Sequence, residues 1–365
     1  MKKCFLFLAL FLPFLASATI WTVDNTPGSG AQCTTLFAAQ DSASNGDTIL
    51  VMPSYSVYAS LTVTKKLFIY SRGHSSNTID KDKRAQVSGF TFNANADSSV
   101  IAGLFISGQV SISSVSGNRA RAIRIINNQI TAGIYLDGDE NLIQGNVLTG
   151  FTNFYGTYIY VINAAQNNLI LNNYFSFTIG SGNYNGNSFM FIRDGNSSNL
   201  VSGNIFAEIK NGSGNVNGGG IGFIRNSYVK VYNNIMWSNV PSRSRFDTLN
   251  LGSVFRNNIT YSALNTPDTL PGINYNDTMP VFVGGYDATN PPSYNENNDM
   301  HLSSSSIGVL GGTDSTDVGL YNGGYKFSIV GNVPGVAVFD DFEILNPVIK
   351  KGGVLKVKIK ARKPE

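Results

Sequence analysis

From about residue 98 onward, short apolar stretches alternate with pairs of polar turn residues, and no 3.6-residue apolar period runs between them. Six segments share one pattern, Asn-Asn or Gly-Asn followed by two mostly apolar residues. They are Asn127-Asn128-Gln129-Ile130, Gly145-Asn146-Val147-Leu148, Asn172-Asn173-Tyr174-Phe175, Gly203-Asn204-Ile205-Phe206, Asn233-Asn234-Ile235-Met236 and Asn257-Asn258-Ile259-Thr260. The second Asn recurs at intervals of 18, 27, 31, 30 and 24 residues. A β-like stretch precedes each pair, as in Asn141-Leu142-Ile143-Gln144, Asn168-Leu169-Ile170-Leu171 and Asn199-Leu200-Val201-Ser202. A further strand lies before that one: Ile134-Tyr135-Leu136-Asp137, Tyr160-Val161-Ile162-Asn163, Phe191-Ile192-Arg193-Asp194 and Phe223-Ile224-Arg225-Asn226.

Each unit therefore reads strand, Asx turn, strand, Asn turn, strand. Recurrence at this interval predicts stacked coils, because one coil cannot bury its own apolar face. The predicted fold is an all-β, right-handed parallel β-helix. Asn128, Asn146, Asn173, Asn204, Asn234 and Asn258 are expected to form a ladder. Each amide would bond to the backbone of its own turn and to the Asn of the neighbouring coil.

Composition agrees with this. The 365 residues include 38 Gly and 42 Asn, both turn formers, and only 13% charged residues. Hydrophobics at 42% are ample for a core and argue against disorder.

The segments Trp21-Thr22-Val23-Asp24-Asn25, Thr35-Leu36-Phe37-Ala38-Ala39-Gln40 and Asn45-Gly46-Asp47-Thr48-Ile49 open the mature chain. Together with the repeats, they resemble the right-handed parallel β-helix (pectin-lyase-like) superfamily, in the form of secreted Bacteroidetes-type β-helix repeat proteins. The resemblance implies a first strand, a short capping helix within 35–44 and a first coil strand. It covers roughly residues 20 to 325, and it implies a scaffold rather than an activity.

The termini carry separate signals. Met1-Lys2-Lys3, the apolar run 5–15 and Ala16-Ser17-Ala18 read as a signal peptide over residues 1–18. The chain is thus expected to be secreted or periplasmic, with no transmembrane span. Removing the signal leaves Cys33 alone, too little for an intrachain disulfide. The β-helix is expected to span 19–330, with 301–325 as a last imperfect coil. Residues 331–365 read as a β-hairpin cap over the open end, in which Lys356, Lys358 and Lys360 alternate with apolar positions.

Charge narrows the partners. Residues 19–349 hold 17 Lys and Arg against 22 Asp and Glu, a net of −5. A mildly acidic body is unsuited to nucleic acid.

Candidate chemistry is sparse. Asp137, Asp139 and Glu140 crowd one turn. Asp137 aligns with Asn163, Asp194 and Asn226, which favours an Asx column over a Ca²⁺ site, so no metal or cofactor is assigned. Arg193 and Arg225 occupy equivalent Phe-Ile-Arg positions and are expected to stack on successive coils. Asp194 is the neutralising neighbour, and Glu208 and Lys210 are expected on the same outer face. The bland reading is a neutralised exposed pair. The functional one is a subsite for an acidic sugar, since Arg grips carboxylates bidentately.

Tyr155, Tyr158, Tyr160, Tyr174, Tyr184, Tyr232 and Trp237 enrich the middle coils, and Tyr160 and Trp237 are candidate stacking partners for sugar rings. Loops at 179–195 and 211–220 are candidate binding elements. The leading expectation is a non-catalytic extracellular protein that binds polysaccharide or cell-surface glycan or presents a structural surface. The alternative is a polysaccharide lyase or glycoside hydrolase acting on acidic polysaccharide.

Overall fold

A computed structural model describes residues 18–76, 83–112, 114–115, 118–150, 157–163, 165–179, 188–192, 198–210, 222–225, 228–238, 252–262, 269–287, 293–333, 338–345, 352–354 and 356–362. Among these the chain forms a parallel β-solenoid with three long sheets of ten, eight and seven strands. It is the right-handed parallel β-helix architecture expected from the repeats.

One coil shows how the sequence writes the fold. Arg124–Ile126 lies in the ten-stranded sheet, Asn127-Asn128 turns the chain, and Gln129–Ile130 joins the eight-stranded sheet. Ile134–Leu136 then joins the seven-stranded sheet, and Leu142–Gln144 begins the next coil directly beneath Arg124–Ile126. Alternation in each strand sends one column inward. In the ten-stranded sheet that column is Ile49, Ile69, Ile101, Ile125, Ile143, Ile170, Val201 and Val231, in unbroken register and fully buried. β-branched side chains suit such a column because their restricted χ1 already matches the pleated surface. Phe175, Phe206 and Met236 do the same in the eight-stranded sheet, with Phe175 and Phe206 stacked at 4.7 Å.

At the N-terminal end the expected helix forms at Leu36–Ser42. Thr35 caps it by accepting from the Ala38 amide at 3.1 Å, and Leu36 and Ala39 are buried against the first coil.

The Asn ladder is continuous. Each second Asn donates both its backbone N–H and its Nδ2 to the Oδ1 of the next, from Asn128 through Asn146, Asn173, Asn204 and Asn234 to Asn258, at 2.8–3.1 Å. The remaining Nδ2 hydrogen goes to a strand carbonyl: Ile101, Ile125, Ile143, Ile170, Val201 and Val231 in turn. All six side chains are fully buried. The ladder extends one rung further than the repeats indicate, to Asn274 in the Pro-rich stretch, which accepts from Asn258 at 2.8 Å. A second ladder at the opposite turn joins Asn141, Asn168 and Asn199 in the same way.

One expectation about the C-terminal third changes. Residues 301–325 add no coil. Instead, residues 269–287 and 293–333 lie along the outside as a sash. Phe282, Met300, Leu302, Val318, Leu320 and Phe327 pack on the outward column Val147, Tyr174, Ile205, Ile235 and Ile259 of the eight-stranded sheet. The physical reason is that this outer column is as apolar as the inner one, so it needs a cover. Residues at the end of the stack are met by the start of the sash. Asn257 donates its amide to the Ile273 carbonyl, and Tyr275 bridges Ile259.

The sash ends beside early coils, where Val333 packs on Val100 and Ala102. Beyond it, Val338–Ile344 and Val357–Arg362 form the expected antiparallel hairpin. By backbone register Asp341 lies opposite Lys360 and Glu343 opposite Lys358, and both lysines are exposed.

The first residue of each turn pair has a second function. Asn127, Gly145, Asn172, Gly203, Asn233 and Asn257 all have φ between 52° and 68°, the left-handed region. The asparagines reach outward to the sash: Asn257 to the Gly311 carbonyl, Asn233 to Thr313, Asn172 to the Leu320 and Asn322 carbonyls, and Asn127 to the Asn332 carbonyl. The glycines leave room. A Cβ on Gly145 would sit 2.1 Å from the Tyr325 hydroxyl and 2.2 Å from Asn127 Oδ1. One on Gly203 would sit 2.9 Å from Asn172 Nδ2.

Candidate functional site

The outer face of the seven-stranded sheet is the most differentiated surface of the stack. Its outward column runs Thr62, Thr91, Ser111, Tyr135, Tyr160, Phe191 and then Arg225 by register. Hydroxyls thus give way to aromatics at coil spacing, and the backbone of Arg225 follows at the next rung. Tyr135 and Tyr160 lie 5.6 Å apart, and Tyr160 and Phe191 5.3 Å, both tilted pairs. The rings stack because Thr157–Val161 and Ser188–Ile192 pair in strict register, which places aromatics one rung apart.

The predicted site residues distribute unevenly. Tyr160 lies in this column but is 3% exposed, held between its two neighbours, while Tyr135 and Phe191 are half-buried. The expected stacking of Arg193 on Arg225 does not follow the pairing. Arg225 is registered with Phe191, two residues earlier, because the strand offset is 34 residues where the Phe-Ile-Arg units repeat at 32. Arg193, Asp194, Tyr155 and Tyr184 lie outside the described residues, as does the loop 211–220. Trp237 is placed elsewhere. It projects from the outer face of the eight-stranded sheet, 6.2 Å from Tyr261, and at 1% exposure offers no open ring to a ligand. It belongs to the core sealed by the sash. Tyr158 and Tyr174 are likewise fully buried, which pushes both phenols upward.

Glu208 also departs from its expected place on the outer face. It is registered with Phe177 and Ser238, is 3% exposed, and accepts from Ser238 Oγ at 2.7 Å.

The acidic turn is tied into the protein. Asn163 Nδ2 donates to Asp137 Oδ2 at 3.0 Å, the Asx contact expected from the alignment. Arg119 lies 3.5 Å from Asp137 and 3.8 Å from Asp139, and Arg121 pairs with Glu140 at 2.5 Å. These arginines went unnoticed in sequence because Arg119 and Arg121 sit one coil earlier, in a stretch without the repeat signature. Among the described residues no group of three or more His, Cys, Asp or Glu side chains is arranged to hold a metal ion. Cys33 is buried in the core, paired through its backbone with Val23. His74 is fully buried, and burial followed by the nearby Arg84 pushes its imidazole down to about 3.

At the C-terminal end of the ten-stranded sheet the last strand, Val254–Arg256, borders a cleft of about 730 Å³ closed by residues 271–273 and 312–313. No described helix is long and apolar enough to cross a membrane.

The chain matches no family profile and no curated protein. Among solved structures it is similar to a pectate lyase, Pel9A, at 14% identity and a TM-score of 0.39, covering 83% of this chain and 96% of that one.

Proposed function

We propose that this is an extracellular, non-catalytic glycan-binding protein that uses the outer face of its seven-stranded sheet. The observation that carries the reading is the in-register column Tyr135, Tyr160 and Phe191, followed at the next rung by Arg225. Half-buried rings supply flat apolar area for the C–H face of a sugar. Thr62, Thr91 and Ser111 continue the column with hydroxyls, and Arg225 adds a cation for an acidic unit. Secretion follows from the basic and apolar N-terminal segment.

Affinity electrophoresis in gels cast with acidic polysaccharide tests this. Tyr135→Ala with Arg225→Ala should abolish retardation while the melting temperature moves by only a few degrees. Unchanged retardation in the double variant would remove the reading. The rival reading, a lyase, is scored by absorbance of unsaturated products from the same polymers, which the binding reading expects to stay at background.

A further inference from the structure

The cleft at the end of the stack lies on a different face from the Tyr135 column, and its walls have their own chemistry. The ten-stranded sheet ends at Val254–Arg256, which pairs with Lys230–Tyr232 on one side and with no strand of that sheet on the other. On the open side, Gly272 brings residues 271–273 against the strand. Its φ is +88°, and a Cβ there would lie 2.8 Å from the Phe255 carbonyl. The approach fixes the cleft width, and Asn257 locks it by donating its amide to the Ile273 carbonyl at 2.7 Å.

Two apolar walls result, Val254 at 40% exposure and Ile273 at 81%. Isolated exposed apolar side chains are ordinary, but these two line one concavity of ligand size. The same concavity holds Arg256, an exposed cation 6.0 Å from the Tyr232 ring, which makes no ion pair among the described residues. Thr313 closes the far side. Its Oγ1 accepts from Asn233 and keeps its own proton to donate. Asn257 spends its Nδ2 on Gly311, and its Oδ1 remains an acceptor. A cation, a hydroxyl donor, an amide acceptor and two apolar walls thus converge, with no described carboxylate lining the space.

We propose that this cleft binds a single carboxylated sugar unit, with Arg256 gripping the carboxylate, Val254 and Ile273 flanking the C–H face, and Thr313 and Asn257 meeting ring hydroxyls. The guanidinium fork matches a carboxylate in two parallel hydrogen bonds, and the paired polar groups distinguish a sugar acid from an aliphatic one. The ligand class rests on Arg256 and the cleft walls, independently of the aromatic column, so either site can fail without the other.

Calorimetric or saturation-transfer titration of the full chain with D-glucuronate, D-glucose and hexanoate tests it. Glucuronate should saturate the protein. Arg256→Gln should weaken it at least tenfold and Arg256→Lys should fall between, both read in the Tyr135→Ala, Arg225→Ala background so that the cleft alone is titrated. Circular dichroism confirms that each variant keeps its fold. Equal binding of glucose and glucuronate, or equal affinity in Arg256→Gln, overturns the proposal. So does the absence of saturation up to about 10 mM. Hexanoate binding as tightly as glucuronate overturns the sugar assignment.

Discussion

Asn233 and Thr313 exchange two hydrogen bonds: the Thr313 amide donates to Asn233 Oδ1 at 2.8 Å, and Asn233 Nδ2 donates to Thr313 Oγ1 at 3.0 Å. The pair joins a solenoid turn to the sash, and Asn233 Nδ2 also reaches Asn322 Oδ1 at 3.2 Å. Asn233→Ala would strand the Thr313 amide and should cost about 1–3 kcal/mol. Denaturant melts check this. A loss within the few tenths expected of a surface site would mean that the sash is not held at this point.

The inner ladder should be stiffer. Asn173→Ala and Asn204→Ala each remove an acceptor of two bonds and a donor of at least two, all buried. Each should lose at least about 2 kcal/mol. Asn258 should lose a similar amount, because Asn274 continues the ladder beneath it. A clearly milder Asn258→Ala would show that the Asn274 rung is not formed in solution.

Gly145→Ala tests the room left for the sash. The new methyl meets the Tyr325 hydroxyl and Asn127 Oδ1 at a backbone φ of +68°, and the two effects together should cost about 2 kcal/mol or more. Gly46→Ala, also at positive φ but with nothing within 4 Å of the added carbon, should cost only about 1 kcal/mol. Equal losses at both sites would leave only backbone strain, with no sash contact.

His74 gives a pH signature. Its imidazole is pushed down to about 3 in the folded protein, against 6.5 when unfolded, chiefly by burial and secondarily by Arg84. Between these values the unfolded chain binds a proton that the folded one does not, so stability falls as pH drops below 6.5. Above 6.5 this group contributes no pH dependence. The slope from His74 is about 1.4 kcal/mol per pH unit. Urea melts of the wild type and His74→Leu between pH 7 and pH 4 should differ by that slope, and parallel curves would show an imidazole open to water.

Trp237→Ala should act on stability, not on ligand. The ring is buried beneath the sash, so truncation should cost about 3–5 kcal/mol and leave glycan affinity unchanged in the folded fraction. A loss of binding with an unaltered melt would restore Trp237 to a ligand site.

These contrasts show what was legible in the chain. The ladder was, because each rung is built from a turn whose local sequence repeats; the helix capped by Thr35 was expected only from the resemblance of its segment to a known family. The alternation of Asn and Gly at positions such as Asn127 and Gly145 was visible too, but its cause lies in Tyr325, 198 residues away. Trp237 looked like a surface aromatic for the same reason: strand alternation shows that a side chain points outward, and says nothing of what covers that face. The Phe-Ile-Arg match misled because loops between strands vary in length, so identical tripeptides need not share a rung. Asn141, Asn168 and Asn199 formed a second ladder that could have been found, since each opens a β-stretch at the same place in its unit.

The sash also acts as a ruler. Its contacts at Gly311, Thr313, Leu320, Asn322 and Asn332 meet turns on four separate coils, each rung about 4.8 Å from the next. A solenoid otherwise tolerates duplication or loss of a coil, since each contacts only its neighbours. Here an added coil between Asn172 and Asn233 would carry Asn233 and Asn257 one rung past their partners on the sash. Coil number is thereby fixed by a segment that belongs to no coil, and a lineage carrying this sash should vary in loop length while keeping its count of turns.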